Sequence, residues 1–351
     1  MTILSVGGFD AYGISNTCLH RHWALEKCAN YIEQINTVSP KSSLWYRIAY
    51  HLFLYHVPIY LPDSTGANQK IITSLKNKKF DVLWIDKGVT IYPRTLKLAR
   101  KLCPTIKIIS YSPDNMALRH NQSQQYLKSL PYYDYVITNK SYIIEDMKRL
   151  GAKKVIFVNN TFEPTFHYPH NVSDDDIKRL GGDVGFIGAW EKERCESILY
   201  LANHGIKVRV WGGGKWLEYK HYSPNLKIEE KGLYSEDYCK ALRAFKINLC
   251  FLRKINFDQQ TTRSVEIPAC GGFMLAERTN EHIALFEENK EAAYFSSDAE
   301  LVKKCKFYLS HNEERISIMK KGYSKTIIAD YSNKGMIKSI FKQMYNETIL
   351  R

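Results

Sequence analysis

The residues most suited to chemistry here are two arginines and two carboxylates with glycine turns around them. Arg263 and Glu266 lie in the run DQQTTRSVEIPACGGFMLAE, residues 258–277. The run predicts a short helix with Thr262 as its N-cap and Gly271 as its stop. Arg263 would then sit in the first turn, with Glu266 one turn further on the same side. A helix start offers free backbone N–H groups, and a guanidinium grips phosphate oxygens two at a time. A carboxylate beside them can accept hydrogen bonds from the vicinal hydroxyls of a ribose. An ordinary capped helix with an Arg–Glu pair explains the same spacing.

Two further segments point the same way. In GFIGAWEKERCES, residues 185–197, a strand ends at Gly188 and Arg194 follows early in a helix. The missing side chain at Gly188 lets a ligand approach the backbone. Trp211-Gly212-Gly213-Gly214 closes the next strand in a similar turn. In the N-terminal half, Asp114 follows the strand at 105–112, where it could take a proton from a hydroxyl. Its setting, Ser-Pro-Asp-Asn, also suits a plain type I turn. His120 is the second candidate for that role, and Asp10 and Asp86 read as loop-positioning residues. Gly7 and Gly8 close the first strand as a glycine loop.

The elements that must position these residues alternate along the chain. Apolar strands are expected at 2–8, 80–88, 105–112, 133–139 and 154–160, with helices between them. The pattern predicts a parallel sheet covered on both faces. The stretch 161–183 breaks it with two prolines, three consecutive aspartates and a Gly-Gly pair. A second alternation follows, with strands expected at 183–190, 207–214, 246–252 and 273–277. The fold class read from this is α/β: two doubly wound Rossmann-like domains facing across a cleft. Their expected bounds are 1–165 and 183–330, joined by a linker at 166–182. A helix at about 331–351 is expected to pack back on the first. Ligands in such sheets sit outside the carboxyl ends of the strands.

Composition narrows the classes. Of 351 residues, 44% are hydrophobic, and mean hydropathy is −0.35. No run approaches the 18 or so apolar residues of a membrane span. The N-terminus, MTILSVGGFDAYG, shows neither a basic nor a long apolar region, so no signal peptide is expected. The formal charge is +14. Residues 1–165 hold 21 basic side chains against 11 acidic. Such a chain favours anionic partners, among them nucleotides, nucleic acid and membrane surfaces. The eight cysteines form no C-x2-C pair. Reduced core thiols in a cytoplasmic protein are therefore expected, and no structural zinc site. Residues 43–61, SLWYRIAYHLFLYHVPIYL, contain no Asp or Glu and many aromatics. They read as a core helix, or as a segment that lies on a membrane surface or lines a pocket for a lipid-linked ligand.

Taken in order, DVLWIDKG (81–88), SYSPDN (110–115), YYDYVITN (132–139), LGAKKVIFVNNTFEPTFHYP (150–169), DVGFIGAWEKER (183–194), VRVWGGGKW (208–216), KINLCF (246–251) and TTRSVEIPACGGFMLAE (261–277) resemble the CgeB-like glycosyltransferases of the GT-B group. The resemblance spans about residues 80–330. It implies an enzyme moving a sugar from a nucleotide-diphosphate sugar, such as a UDP-sugar, to a hydroxyl of a glycan or lipid-linked envelope acceptor. Glu266 matches the carboxylate that holds the ribose; Arg263 and Arg194 match positions at the diphosphate. Gly188, Gly212, Thr261 and Thr262 fall in the matching donor segments. Many retaining relatives carry E-x7-E, where this chain has the shorter Asp258 at the first position. Asp174-Asp175-Asp176 resembles a metal-holding DXD, but a helix start explains it better, so no metal or cofactor is expected. The alternative from another class is a nucleic-acid-binding or DNA-base-glucosylating protein, argued from charge alone. The expected location is cytoplasmic, at the inner face of the cell membrane if 43–61 makes contact there.

Overall fold

The computed structural model describes residues 1–10, 13–39 and 41–349. It divides into two units, one of residues 1–159 with the segment from Asn333 onward, the other Asn160–Ser332.

The first unit holds strands β1 (Thr2–Gly7), β2 (Tyr31–Asn36), β3 (Val82–Asp86), β4 (Lys107–Ser112), β5 (Tyr135–Thr138) and β6 (Val155–Phe157). They form one parallel sheet in the order β2-β1-β3-β4-β5-β6. Side chains alternate across it, so each strand feeds two cores. Leu4, Leu83 and Ile108 pack with Ile71 and Leu96 of helices Ala67–Asn77 and Pro93–Leu102. Ile3, Trp84 and Ile109 pack on the other face with Leu25 of helix Thr17–Glu26 and Ile337, Ile340 and Phe341 of helix Asn333–Ile349. The last two residues of the helix expected at 331–351 lie outside the described residues.

The second unit repeats the plan with β7 (Gly182–Ile187), β8 (Val208–Trp211), β9 (Leu226–Glu229), β10 (Phe245–Cys250), β11 (Met274–Glu277) and β12 (Ala293–Phe295). Their order is β12-β11-β10-β7-β8-β9, again all parallel. The order reverses between β7 and β10, as it does between β1 and β3 in the first unit. Such switch points leave a crevice at the strand ends because neighbouring connections leave in opposite directions.

The segment read from sequence as a linker, 166–182, contains helix Asp174–Leu180 inside the second unit. Ser173 and Asp176 close a capping box there, and Arg179 reaches Asp237 of helix Ser235–Ala244 at 2.7 Å. The three aspartates thus serve the start of this helix, where negative charge meets the positive dipole end. The chain divides instead at 159–160.

One buried ion pair locks helix Thr17–Glu26 to the first sheet. Arg21 Nε stands 2.6 Å from Asp86 Oδ2, and its Nη2 lies 3.0 Å from Oδ1. The guanidinium also lies over the Tyr111 ring, 4.3 Å from its centroid. Burial alone would push Arg21 down, but Asp86 and Tyr111 hold it above its usual value. Removing one partner leaves a buried charge uncompensated. Asp86→Ala should therefore destabilise the protein by about 3–5 kcal/mol, and Arg21→Met with Asp86→Leu together should recover much of that. Chemical denaturation of the three proteins checks this; a loss under about 1 kcal/mol in the single variant contradicts it.

Candidate functional site

The second unit assembles its polar residues at the β7–β10 switch point. Gly188 follows β7, and its carbonyl accepts the Trp216 indole N–H at 3.0 Å. A Cβ on Gly188 would meet the Phe186 ring at 2.9 Å and Arg263 Nη1 at 3.4 Å. Gly212 is glycine for packing: a Cβ there would meet the Trp216 ring at 2.4 Å and the Gly188 carbonyl at 2.5 Å.

Arg194, on helix Lys192–Asn203, is only 3% exposed. It donates to the carbonyl of Ala189, after β7, at 3.1 Å and to that of Leu252, after β10, at 3.4 Å. It therefore ties the two switch-point loops together. Glu191 lies 3.2 Å from its Nη2. Burial, and then the charge of Arg263, lowers Arg194 to about 10. Both guanidiniums face the Phe186 ring, Arg194 at 5.5 Å and Arg263 at 5.7 Å from its centroid. Arg263 has no ion pair among the described residues, and its Nε is buried with no hydrogen-bond partner. Two like charges side by side, one of them unpaired, make a site that an anion would relieve.

Helix Arg263–Ala269 is short, as the run predicts, but its cap differs from the expectation. It is seven residues long with Pro268 inside it, so its dipole is short. Thr262 makes no side-chain cap. Instead the Ser264 hydroxyl accepts the Thr261 N–H at 2.9 Å. That hydroxyl is held in turn by His282, whose Nε2 lies 2.7 Å away, while His282 Nδ1 is 2.7 Å from the Glu277 carbonyl. A carbonyl can only accept, so Nδ1 carries the hydrogen and Nε2 accepts the hydrogen bond that the Ser264 hydroxyl donates. The loop before the helix is pinned at the buried Gln260, which accepts from the Asn160 N–H at 2.8 Å and donates to Glu281 at 2.7 Å. Asp258 follows Phe257, whose φ is +55°, and its N–H donates to the Arg253 carbonyl at 3.2 Å.

Glu266 does not pair with Arg263. Its Oε2 accepts from Tyr238 Oη at 2.6 Å, and His167 Nε2 stands 3.8 Å from Oε1. The Glu163 N–H donates to His167 Nδ1 at 3.0 Å, which leaves the ring hydrogen on Nε2, facing Glu266. Burial pushes His167 down and Tyr238 well up. Glu266 is 8% exposed. Tyr238, His167 and His282 escaped the sequence reading because they lie far from Arg263 and Glu266 along the chain.

In the first unit the β1–β3 switch point opens into a cavity of about 520 Å³. Gly8, Asn16, Arg21, Asp86, Lys87 and Asp114 line it. Ser15, Thr37, Ser39, Ser64 and Thr90 add hydroxyls, and Tyr46 a phenol. Asp114 is held by the Lys87 ammonium. Lys87 itself adopts a left-handed backbone, φ +46°, directly after β3. Gly7 lies behind the wall, where a Cβ would meet Cys18 Sγ at 2.5 Å. His120 is not among the lining residues; it sits in the turn Arg119–Asn121, where its carbonyl accepts from Tyr50 Oη at 2.7 Å. Asp10 accepts from Asn36 at 2.5 Å.

These two switch-point sites belong to a known architecture. The chain has the GT-B fold. It aligns with HepE of Anabaena in complex with UDP-glucose at 13% identity and a TM-score of 0.65, over 99% of this chain and 100% of that one. Sucrose-phosphate synthase of Thermosynechococcus elongatus aligns at 11% identity and 0.65, over 99% of both chains. A glycosyltransferase of Rickettsia africae aligns at 11% and 0.62, over 99% and 98%. Residues 194–342 match a family model described as glycosyl transferase-like. A comparison with curated proteins gives no match.

The His282 contact sets an acid limit. Burial lowers His282 to about 4. The unfolded chain would take that proton near pH 6.5. Below that pH the unfolded state binds more protons than the folded one, so stability falls with pH from about 6.5 to about 4. His282→Gln can keep both hydrogen bonds without titrating. Thermal melts at pH 7 and pH 5 should show a shallower acid loss in this variant; identical losses would remove His282 from the account.

Proposed function

We propose that the chain is a nucleotide-sugar-dependent glycosyltransferase of the CgeB-like kind, moving a sugar from a UDP-sugar to a hydroxyl of a glycan or lipid-linked envelope acceptor. The observation that carries this reading is Arg263, whose buried Nε has no partner beside a second guanidinium at the switch point. The UDP-glucose held by HepE supports the choice of donor. In this reading Arg263 and Arg194 hold the diphosphate and take up the charge that forms when the sugar leaves. They supply positive charge without a metal. Glu266, set by Tyr238, accepts the ribose hydroxyls, and Asp258 lies toward the sugar.

The acceptor hydroxyl binds in the hydroxyl-lined cavity of the first unit. Asp114 takes its proton as the new bond to the anomeric carbon forms. The bond from that carbon to the phosphate oxygen breaks, and nucleoside diphosphate leaves with the electron pair. Lys87 holds the Asp114 carboxylate toward the cavity until the acceptor arrives.

The two halves of the donor site should separate in calorimetry with UDP and uridine. Arg263→Ala should weaken UDP by roughly 10- to 100-fold, the range for a lost charge-assisted bond, and leave uridine nearly unchanged. Glu266→Ala should weaken both. Equal losses of the two ligands in Arg263→Ala would mean that this arginine is structural.

Asp114→Asn keeps the shape of the cavity and removes the base. Turnover should fall by roughly 10²–10⁴-fold while UDP affinity is retained. The product of the native enzyme should carry the inverted anomeric configuration by NMR. Near-normal turnover in the variant, or a retained configuration, would exclude Asp114 as the base.

A further inference from the structure

Helix Leu44–Leu54 is apolar on both faces, and only one face is covered. Ala49 and Phe53 are buried in the first unit, and Tyr46 lines the cavity. On the opposite face Leu44 is 67% exposed, Trp45 54% and Ile48 42%, and Tyr55, just past the helix end, is 70% exposed. Val57 and Tyr60, further along the chain, are exposed as well. A surface helix ordinarily presents polar side chains to water. Large apolar residues gathered on one exposed face mark an interaction surface.

The charge around this face selects its partner. No Asp or Glu occurs from Gln34 to Pro62. Lys41, Arg47, His51 and His56 are exposed on or beside the face. An interface mixing Trp, Tyr and aliphatic side chains with basic ones and no acidic ones fits the headgroup region of an anionic bilayer. No described helix is long and apolar enough to cross a membrane, so the contact would lie along the surface.

We propose that this face of helix Leu44–Leu54 docks on an anionic phospholipid surface. The helix then serves two sides at once: Leu44, Trp45 and Ile48 enter the headgroup layer, while Tyr46 lines the cavity behind. A saccharide carried on a membrane lipid would reach that cavity without leaving the surface. The choice of a lipid-linked acceptor rests on the glycosyltransferase reading; the docking surface does not.

The test is co-sedimentation of the full chain with vesicles of phosphatidylglycerol and phosphatidylcholine, and with vesicles of phosphatidylcholine alone. The native chain should bind the anionic vesicles, and binding should weaken as salt is raised. Leu44→Ser, Trp45→Ser and Ile48→Ser combined should lower that binding roughly tenfold or more. None of the three touches the cavity, so far-UV circular dichroism and UDP affinity should stay unchanged. Native chain that ignores anionic vesicles, or a triple variant that binds as the native chain does, overturns the proposal. So does a native dimer on size exclusion that the triple variant converts to monomer, which would assign the face to a second copy. UDP calorimetry without vesicles reads the donor site separately: vesicle binding without UDP binding would fault the glycosyltransferase reading and leave the docking surface standing.

Discussion

Two like charges held against one phenyl ring set the terms for the second unit. Arg194 and Arg263 approach Phe186 at the point where β7 and β10 part. Burial, and then repulsion, oppose this arrangement, and Arg194 is lowered to about 10 as a result. The surrounding structure holds it in place. Glu191 and two loop carbonyls satisfy Arg194; Ser264 and His282 fix the loop that delivers Arg263. Arg263 is left with charge to spare. A site whose dipoles and charges are already set for an anion need not reorganise when one forms.

The first unit solves the same geometric problem with the opposite balance. Its switch point also brings an arginine to a strand end, but Arg21 is neutralised by Asp86. What remains facing the cavity is a set of hydroxyls and the Lys87–Asp114 pair. Such a surface suits a polyhydroxylated molecule better than a phosphate. The same topology thus leaves unpaired positive charge at the switch point of one unit and a hydroxyl-lined cavity with a paired charge at that of the other.

Much of this was legible in the sequence because the signal is local. β1, β3, β4 and β5 are runs of apolar residues buried on both faces, and their positions match the expectation closely. The strands missed were β2, β9 and β12, each at the edge of its sheet. β2 (YIEQIN) is mostly half-buried or exposed and mixes polar with apolar residues, and Ala293–Phe295 is buried but only three residues long, so neither carries much hydrophobic signal. Arg263, Glu266, Arg194 and Asp114 stood out as candidates because helix starts and strand ends have local signatures. Their partners were not. Tyr238 meets Glu266 across 28 residues and Lys87 meets Asp114 across 27, distances at which spacing says nothing. The Thr262 cap failed for a local reason: Thr262 is itself helical, φ −57° and ψ −37°, so the Ser264 and Val265 N–H groups go to the Thr261 and Thr262 carbonyls instead of its hydroxyl.

The return of the last helix to the first unit has a consequence for how the chain is made. Ile337, Ile340, Phe341 and Met344 share a core with Ile3, Trp84 and Ile109. Residues 160–332 form a continuous stretch and hold all six strands of their own sheet. As synthesis proceeds from the N-terminus, that stretch can close while the earlier one still shows an apolar sheet face to water. The half made first is therefore completed last, once the final helix emerges from the ribosome. Until then its uncovered face is an aggregation hazard of the kind chaperones shield.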